Sequence, residues 1–268
     1  MLSYGLKQTA EPAAEPIHLN EARLYLKIDD DVTEDDSVIE SAIISAREHV
    51  EEVLRGALVA QTWTLKLGGW PSCGEIEIPL PPLMSVASVT YTTSDGTTET
   101  LSTSDYTVET DSEPTGRILL NLTSYWPSSA LGVGLPISIQ FTAGYVTPVS
   151  ANPSTDVLTA SGRTFSNGAA VTLSVSGGSV PTGLAERTTY YVVNASGSTF
   201  KLAATANGSA IDFTDAGSGQ VFVGRLPDKI RRSMLLLIWH FYQNRGTAAE
   251  PIPEGVDTLI LSSRARRF

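Results

Sequence analysis

A charge-poor stretch in the middle of the chain, residues 150–224, constrains the possible folds more than any other feature. It includes only three basic and four acidic side chains, and it is rich in glycine, serine, threonine, alanine and valine. Proline-containing breakers stand at both edges, around Pro153 and Pro227. This shift in composition marks a domain boundary and predicts three segments: 1–149, 150–224 and 225–268.

Charge is distributed unevenly between these segments. Residues 1–149 hold 7 basic and 21 acidic side chains, residues 225–268 hold 8 basic and 4 acidic ones, and the whole chain has a net charge of −11. An acidic body with a basic end favours attraction between the ends of neighbouring copies, or different partners at the two ends. Ordinary surface charge that keeps a protein in solution accounts for the same distribution equally well.

The two outer segments carry both helical and strand patterns. Apolar residues recur at spacings of three and four over residues 35–55, which predicts a long helix, and a second helix is predicted at 228–244. A short helix at 21–26 precedes them, and residues 1–16, with two prolines, are expected to be irregular. Over residues 61–145, apolar and polar side chains alternate, which predicts a β-meander.

The middle segment is predicted to be all-β. Its candidate strands, separated by turns rich in glycine and asparagine, fit a small sandwich or a small barrel, and the sequence leaves both open. The predicted fold class is therefore α+β. A core of helices and a β-meander is formed by 1–149 and 225–268, and an all-β domain is inserted at 150–224.

The predicted last helix is apolar nearly all round from Met234 to Phe241. A helix of this kind is expected to be buried on several sides, which makes Trp239, Phe241 and Tyr242 candidates for a core or assembly helix. The apolar run Met234–Trp239 is far shorter than the roughly 20 residues that span a membrane, so no membrane contact is expected.

Residues with chemical potential are few and scattered. The single cysteine, Cys73, excludes an intramolecular disulfide and a cysteine-based metal cluster. His18, His49 and His240 stand apart from one another and are expected to pack or to cap helices. The acidic loop 29–36 lacks the glycine and the closing glutamate of a calcium-binding loop, and it is expected to stabilise the helix behind it. We therefore expect neither a metal nor a cofactor.

Two stretches stand out within the order of short helix, acidic loop, long helix, β-meander and closing helix. They are the strand end FTAGY at 141–145 and the helix end WHFYQNR at 239–245. In order and spacing the chain resembles the head–tail connector (adaptor) proteins of tailed bacteriophages over 17–145 and 225–262. It departs from that family where the long segment 150–224 separates the Gly-Tyr strand end from the last helix. The stretches at 184–194 and 210–217 resemble a β-module that recurs inside phage structural proteins.

The resemblance implies a structural virion protein and no enzyme. Such a connector forms a homo-oligomeric ring, commonly of twelve copies, beneath the portal protein. It extends the DNA channel, and tail completion (stopper) proteins dock on it. The protein would be assembled in the host cytoplasm and would lie in the neck of the virion, at the head–tail interface. Double-stranded DNA would pass through the ring without being read by sequence, and the acidic body would line the channel.

The resemblance also suggests a role for the basic end of the chain. Arg264, Arg266 and Arg267, together with Phe268, are assigned to contacts with the portal or a neighbouring subunit. Two other interpretations stay open. The first is a tail-associated receptor- or glycan-binding protein that uses residues 150–224 as the reader. The second is a virion enzyme such as a hydrolase, which would need convergent acids with a perturbed pKa.

Overall fold

The computed structural model describes residues 4–29, 31–110, 115–245 and 251–263. Within these residues the fold is α+β, as predicted, with helices and antiparallel sheets. The chain divides into two compact units. Unit 1 comprises residues 4–12 and 55–144, and unit 2 comprises residues 13–54 and 145–263.

Unit 1 consists of two antiparallel sheets. The five-stranded sheet has the order β1-β2-β8-β4-β5, and the three-stranded sheet has the order β3-β7-β6. The strands are β1 (Tyr4–Ala10), β2 (Gln61–Leu67), β3 (Glu75–Glu77), β4 (Leu83–Thr92), β5 (Thr98–Thr100), β6 (Tyr106–Glu109), β7 (Arg117–Leu120) and β8 (Ile137–Ala143). The predicted strand content of 61–145 is confirmed, but the strands belong to two separate sheets.

Strand β8 lies at the centre of the larger sheet and supplies much of the core of unit 1. Its alternate residues Ile137, Ile139 and Phe141 are fully buried. Alternation places these three side chains on one face of the sheet, where they meet buried residues of β2 and β4. The predicted strand pattern at this position is confirmed.

Strand β1 contradicts the expectation that residues 1–16 are irregular. It pairs with β2 from Tyr4 opposite Leu67 to Ala10 opposite Thr62. It is an edge strand whose side chains are mostly exposed or half-buried, so its sequence shows no alternation. Residues 4–10 form a strand because their backbone pairs with that of β2. Both N-terminal helices lie between β1 and β2 in the sequence, so no local pattern indicates this pairing.

Unit 2 combines four helices with a closed barrel. The helices are α1 (Leu19–Leu26), α2 (Asp36–Leu54), α3 (Asp228–Gln243) and α4 (Glu254–Leu261). The barrel strands are β9 (Val146–Asn152), β10 (Val157–Ala160), β11 (Ala170–Ser176), β12 (Thr189–Ser196), β13 (Thr199–Ala203) and β14 (Gln220–Gly224). They close in the order β10-β13-β12-β11-β14-β9 around a core that includes Leu158, Leu173 and Phe200.

The barrel decides between the two architectures that the sequence left open. The strands predicted for this segment lay at 170–175, 189–194, 199–203, 210–213 and 220–223, so β10 was not predicted, and two further differences are found. A strand predicted around 210–213 is reduced to a single bridge between Ala203 and Ala210. Strand β9 begins at Val146, ahead of the predicted boundary at 150. The insertion of 150–224 as an independent module stays a prediction.

Helices α2 and α3 pack against each other, although all the strands from β2 to β14 lie between them in the sequence. The apolar stripe of α2 is buried as predicted, with Ile39, Ile43, Ala46 and Val50 at the interface with the rest of unit 2. Helix α3 contributes Ile230, Met234, Leu237 and Ile238. Distant stretches of the chain therefore form one helical layer.

Candidate assembly surfaces

The candidate site residues from the sequence fall into two groups, one outside the described residues and one at the end of α3. Arg264, Arg266, Arg267 and Phe268 lie outside the described residues, so their assignment to contacts with the portal or a neighbouring subunit stays a prediction. Trp239, Phe241 and Tyr242 lie in the last turns of α3, and each has a different environment.

Trp239 differs from the expectation that the helix is buried on several sides. Its side chain is 46% exposed, whereas its neighbours Ile238 and His240 are buried. Successive residues of an α-helix point about 100° apart, so a helix that packs by one face must turn some members of a continuous apolar run towards solvent. Phe241 is half-buried, with its ring edge-on to that of His240 at a centroid distance of 5.7 Å.

Tyr242 is held by the start of α2. Its hydroxyl donates a hydrogen bond to Oδ2 of Asp35 at 2.5 Å, and Nη1 of Arg245 donates to the same oxygen at 2.7 Å. The Arg245 guanidinium also lies over the Tyr242 ring, 4.7 Å from its centroid. These contacts connect the C-terminal end of α3 to the N-terminal end of α2, so Tyr242 has a structural role within the chain.

The electrostatics of this cluster follow from its hydrogen bonds. The bond from Tyr242, and then that from Arg245, hold the pKa of the Asp35 carboxyl below its ordinary value. The same bond raises the pKa of the Tyr242 hydroxyl, because ionising it would place two negative charges side by side. Asp35 therefore stays ionised beside Arg245 at neutral pH.

The Asp35→Asn variant should lower stability at pH 7 and reduce the dependence of stability on acid. The pKa of Asp35 is lower in the folded chain than in the unfolded chain. Its contribution is therefore complete above about pH 3.9 and is lost as pH falls through the folded-state pKa. Melting temperatures measured at falling pH should show wild type and variant converging in acid. Asp31→Asn, which changes an exposed acid of the same loop, is the control and should match wild type at pH 7.

The N-terminal end of α2 has a second ion pair, which the sequence did not reveal. Nη2 of Arg23 in α1 lies 2.5 Å from Oδ1 of Asp36, and the Arg23 side chain is only 7% exposed. The acidic loop was expected to stabilise the helix by charge at its N-terminus. Two of its acids, Asp35 and Asp36, also accept hydrogen bonds from arginines elsewhere in the chain, Arg245 after α3 and Arg23 in α1.

A hydrogen-bond network joins the barrel to α1 and α3 within unit 2. The backbone N–H of His18 donates to Oγ of Ser176 at 2.7 Å, and the Ser176 hydroxyl donates to the Glu21 carboxylate. Glu21 also pairs with Arg231 of α3 at 2.7 Å, and its side chain is 10% exposed. Sequence reasoning missed this network because its partners lie far apart along the chain.

The exposed faces of α2 and α3 differ in charge. On α3 the exposed residues include Arg232, Trp239 and Gln243. On α2 they include Glu40, Ile44 and Glu48. Ile44 lies outside the buried apolar stripe of α2, and it is 41% exposed. Helix α3 thus presents an apolar residue with a basic residue two turns before it, and α2 presents an apolar residue with an acid one turn before it and another one turn after it.

A groove lies beside Ile44. Its volume is about 280 Å³. Apolar side chains form most of its wall, and carboxylates stand among them: the lining includes Ile17, Leu19, Ile43, Ile44, Glu15 and Glu40. Glu15 is paired with Arg47 at 2.9 Å, whereas no ion pair is found for Glu40 among the described residues. The groove is therefore apolar with an acidic rim.

Unit 1 presents a third surface, on the loop 121–136 between β7 and β8. Leu122 and Val133 are fully exposed and Tyr125 is 86% exposed. The loop is nevertheless anchored, because the Trp126 ring stacks on Trp70 at a centroid distance of 4.9 Å and its Nε1 donates to the backbone oxygen of Cys73. An anchored loop that displays large apolar side chains is typical of a surface that binds another protein.

Among residues 4–29, 31–110, 115–245 and 251–263, no group of three or more histidine, cysteine, aspartate or glutamate side chains is arranged to hold a metal ion. In the same part of the chain, every helix is too short or too polar to cross a membrane.

Solved structures share this fold over nearly the whole chain. A chain of "Neck of empty GTA particle computed with C6 symmetry" is 17% identical, with a TM-score of 0.58 and coverage of 98% of this chain and 97% of that one. A chain of "Virion of native gene transfer agent (GTA) particle" is 16% identical, with a TM-score of 0.58 and coverage of 98% and 96%. A chain of "Neck of native GTA particle computed with C12 symmetry" is 16% identical, with a TM-score of 0.50 and coverage of 98% and 97%.

At this level of identity the likeness establishes the fold alone, because one fold can serve many functions. It extends over both units, including the barrel, since almost none of the chain is left uncovered. No protein-family model matches the sequence, and no curated protein matches it.

Proposed function

We propose that this chain is a structural protein of the neck of a phage-like particle, where it acts as a head–tail connector (adaptor). The observation that carries the proposal is the shared fold over 98% of the chain with chains of gene transfer agent neck and virion structures. The resemblance of 17–145 and 225–262 to phage connectors points to the same role from the sequence.

In this role the chain forms a ring beneath the portal protein. The neck structures with the same fold were computed with C6 and C12 symmetry, and cyclic symmetry requires each subunit to contact its neighbours through two different surfaces. The exposed faces of α2 and α3 differ in charge, as two such surfaces would. Ring formation by twelve copies remains part of the proposal.

Docking of other neck proteins is the second part of the role. The uncharged loop 121–136, with Leu122, Tyr125 and Val133 exposed, offers a surface for a tail completion protein. The basic end, Arg264, Arg266 and Arg267, offers a complement to an acidic portal. The net charge of −11 disfavours tight binding of DNA to the channel wall, which suits a passage through which DNA must move.

Locating the chain in assembled particles tests the proposal. Particles assembled with an epitope-tagged chain are labelled with gold-conjugated antibody and imaged by electron microscopy. We expect the label at the junction of head and tail, and we expect particles that lack the chain to accumulate as heads without tails. Label at the far end of the tail would overturn the proposal in favour of receptor binding, and particles without label would overturn both.

A further inference from the structure

We propose that copies of this chain bind one another head to tail, with the Trp239 face of α3 in one copy seated in the groove beside Ile44 of α2 in the next. This inference rests on the proposed ring and specifies the two surfaces that build it. A second copy is the occupant of the groove because the exposed Trp239 and Arg232 of α3 complement the groove's apolar wall and its acidic rim.

The exposed faces of α2 and α3 lie on different sides of unit 2. Helices α2 and α3 pack against each other, and each has a buried side, which includes Ala46 and Val50 on α2 and Met234 and Leu237 on α3. Their exposed sides therefore point away from each other. A contact between the exposed side of α2 in one copy and that of α3 in the next joins unlike surfaces, so every copy keeps one free surface of each kind until a ring closes.

Apolar complementarity supports the contact. Trp239 is a large, half-exposed side chain on α3. The groove presents the exposed Ile44 and the half-buried Leu19 to solvent, and the buried Ile17 and Ile43 complete its apolar lining. Tryptophan is among the residues that contribute most to protein interfaces when it enters a pocket of this kind. Insertion of the indole would remove both apolar surfaces from water.

Charge complementarity favours a contact between the α3 face of one copy and the α2 face of the next. Arg232 is exposed two helical turns before Trp239, and no ion pair is found for it among the described residues. Glu40 and Glu48 are exposed one turn before and one turn after Ile44. A contact between two α2 faces would place acid against acid, whereas a contact between α3 and α2 places Arg232 against carboxylates.

Cross-linking between engineered cysteines tests the contact directly. In a Cys73→Ser background, Ser41→Cys, one turn before Ile44, and Gln243→Cys, one turn after Trp239, are combined in one full-length chain that keeps Ile44 and Trp239. The chain is treated with a short bismaleimide at high protein concentration and in particles. We expect a ladder of covalent dimers, trimers and larger species. The two single-cysteine variants in the same background are matched controls and should give almost no covalent dimer, because a head-to-tail contact does not bring two copies of the same cysteine together.

Charge reversal tests the same contact independently, in chains without engineered cysteines. Arg232→Glu, and separately Glu40→Arg with Glu48→Arg, should each weaken self-association at least about tenfold as measured by sedimentation velocity. Combining all three substitutions should restore association towards that of wild type. Restoration would not occur if the substitutions acted by damaging the fold.

The outcomes separate this inference from the proposed function. A ladder whose formation depends on both cysteines supports the head-to-tail contact wherever the chain is located in the particle. Cross-linked dimers from either single-cysteine variant would overturn it by showing a symmetric contact. Absence of a ladder both in solution and in particles whose neck carries the gold label would overturn the contact while leaving the neck assignment standing.

Discussion

Replacing Gly144 by alanine should destabilise unit 1 by about 3 kcal/mol or more. Gly144 follows β8 with φ at +147°, and an added Cβ would lie 2.5 Å from the carbonyl carbon of Val59 and 2.7 Å from the backbone nitrogen of Ala60. These are backbone atoms, which cannot swing aside as a side chain can. The strand end would have to move away from 59–60, next to the fully buried Phe141 and Ala143.

Urea unfolding of the purified chain measures this effect by near-ultraviolet circular dichroism, because Trp63, Trp70 and Trp126, three of the four tryptophans, lie in unit 1. Gly134→Ala is the matched control, because Gly134 also has a positive φ, +88°, but an added Cβ there would meet nothing within 4 Å. The control should lose only about 1 kcal/mol, which is the backbone strain alone. Equal losses in the two variants would contradict the close approach of Gly144 to the 59–60 segment.

This result would give a physical meaning to the glycine of the FTAGY stretch. Gly144 lies at the point where the chain leaves β8 of unit 1 and enters β9 of unit 2. Its backbone N–H donates to the carbonyl of Pro82, so the turn is also held by a hydrogen bond. The glycine is required there because a side chain has no space, and its role is structural.

Ile238→Ala and Trp239→Ala, which change adjacent residues of α3, should have very different effects on folding. Ile238 is fully buried, and truncating it leaves a cavity whose cost is about 2–5 kcal/mol. Trp239 is 46% exposed, and its truncation should change the free energy of unfolding by no more than about 1 kcal/mol. The larger of the two side chains should therefore matter less to the fold.

Thermal and urea unfolding of both variants, followed by circular dichroism of the helices, provides the measurement. The comparison also separates folding from assembly, since Trp239→Ala should leave a stable monomer that associates poorly. A loss of stability in Trp239→Ala as large as that in Ile238→Ala would show that Trp239 belongs to the core, as the apolar run in the sequence first suggested.

Much of the secondary structure could be predicted from local patterns. The apolar spacing of α2 identified its bounds closely, and the breaker at Pro227 marked the start of α3. Alternation identified β2 and β8. These elements share a property: one face is buried in the folded chain, so the pattern along the sequence records the burial.

The candidate surfaces were predicted less well. Trp239 was selected from the sequence, but as part of a buried helix. Ile44 was not selected, although an isoleucine outside the apolar stripe of α2 was a usable signal. The loop 121–136 was missed because Leu122, Tyr125 and Val133 follow no period, and only their exposure in the folded chain distinguishes them from core residues.

The sequence by itself determined the α+β class, the apolar stripe of α2, the charge-poor composition of the barrel region and the need for small residues at its turns. Only the tertiary structure decided that β1 is a strand, that the barrel closes with β9 as a member, and which side of α3 is left exposed. Those outcomes depend on partners far along the chain, such as β2 for β1 and Glu21 for Ser176 and Arg231. A periodic pattern shows that a residue needs a partner, but the partner is known only once the chain has brought distant segments together.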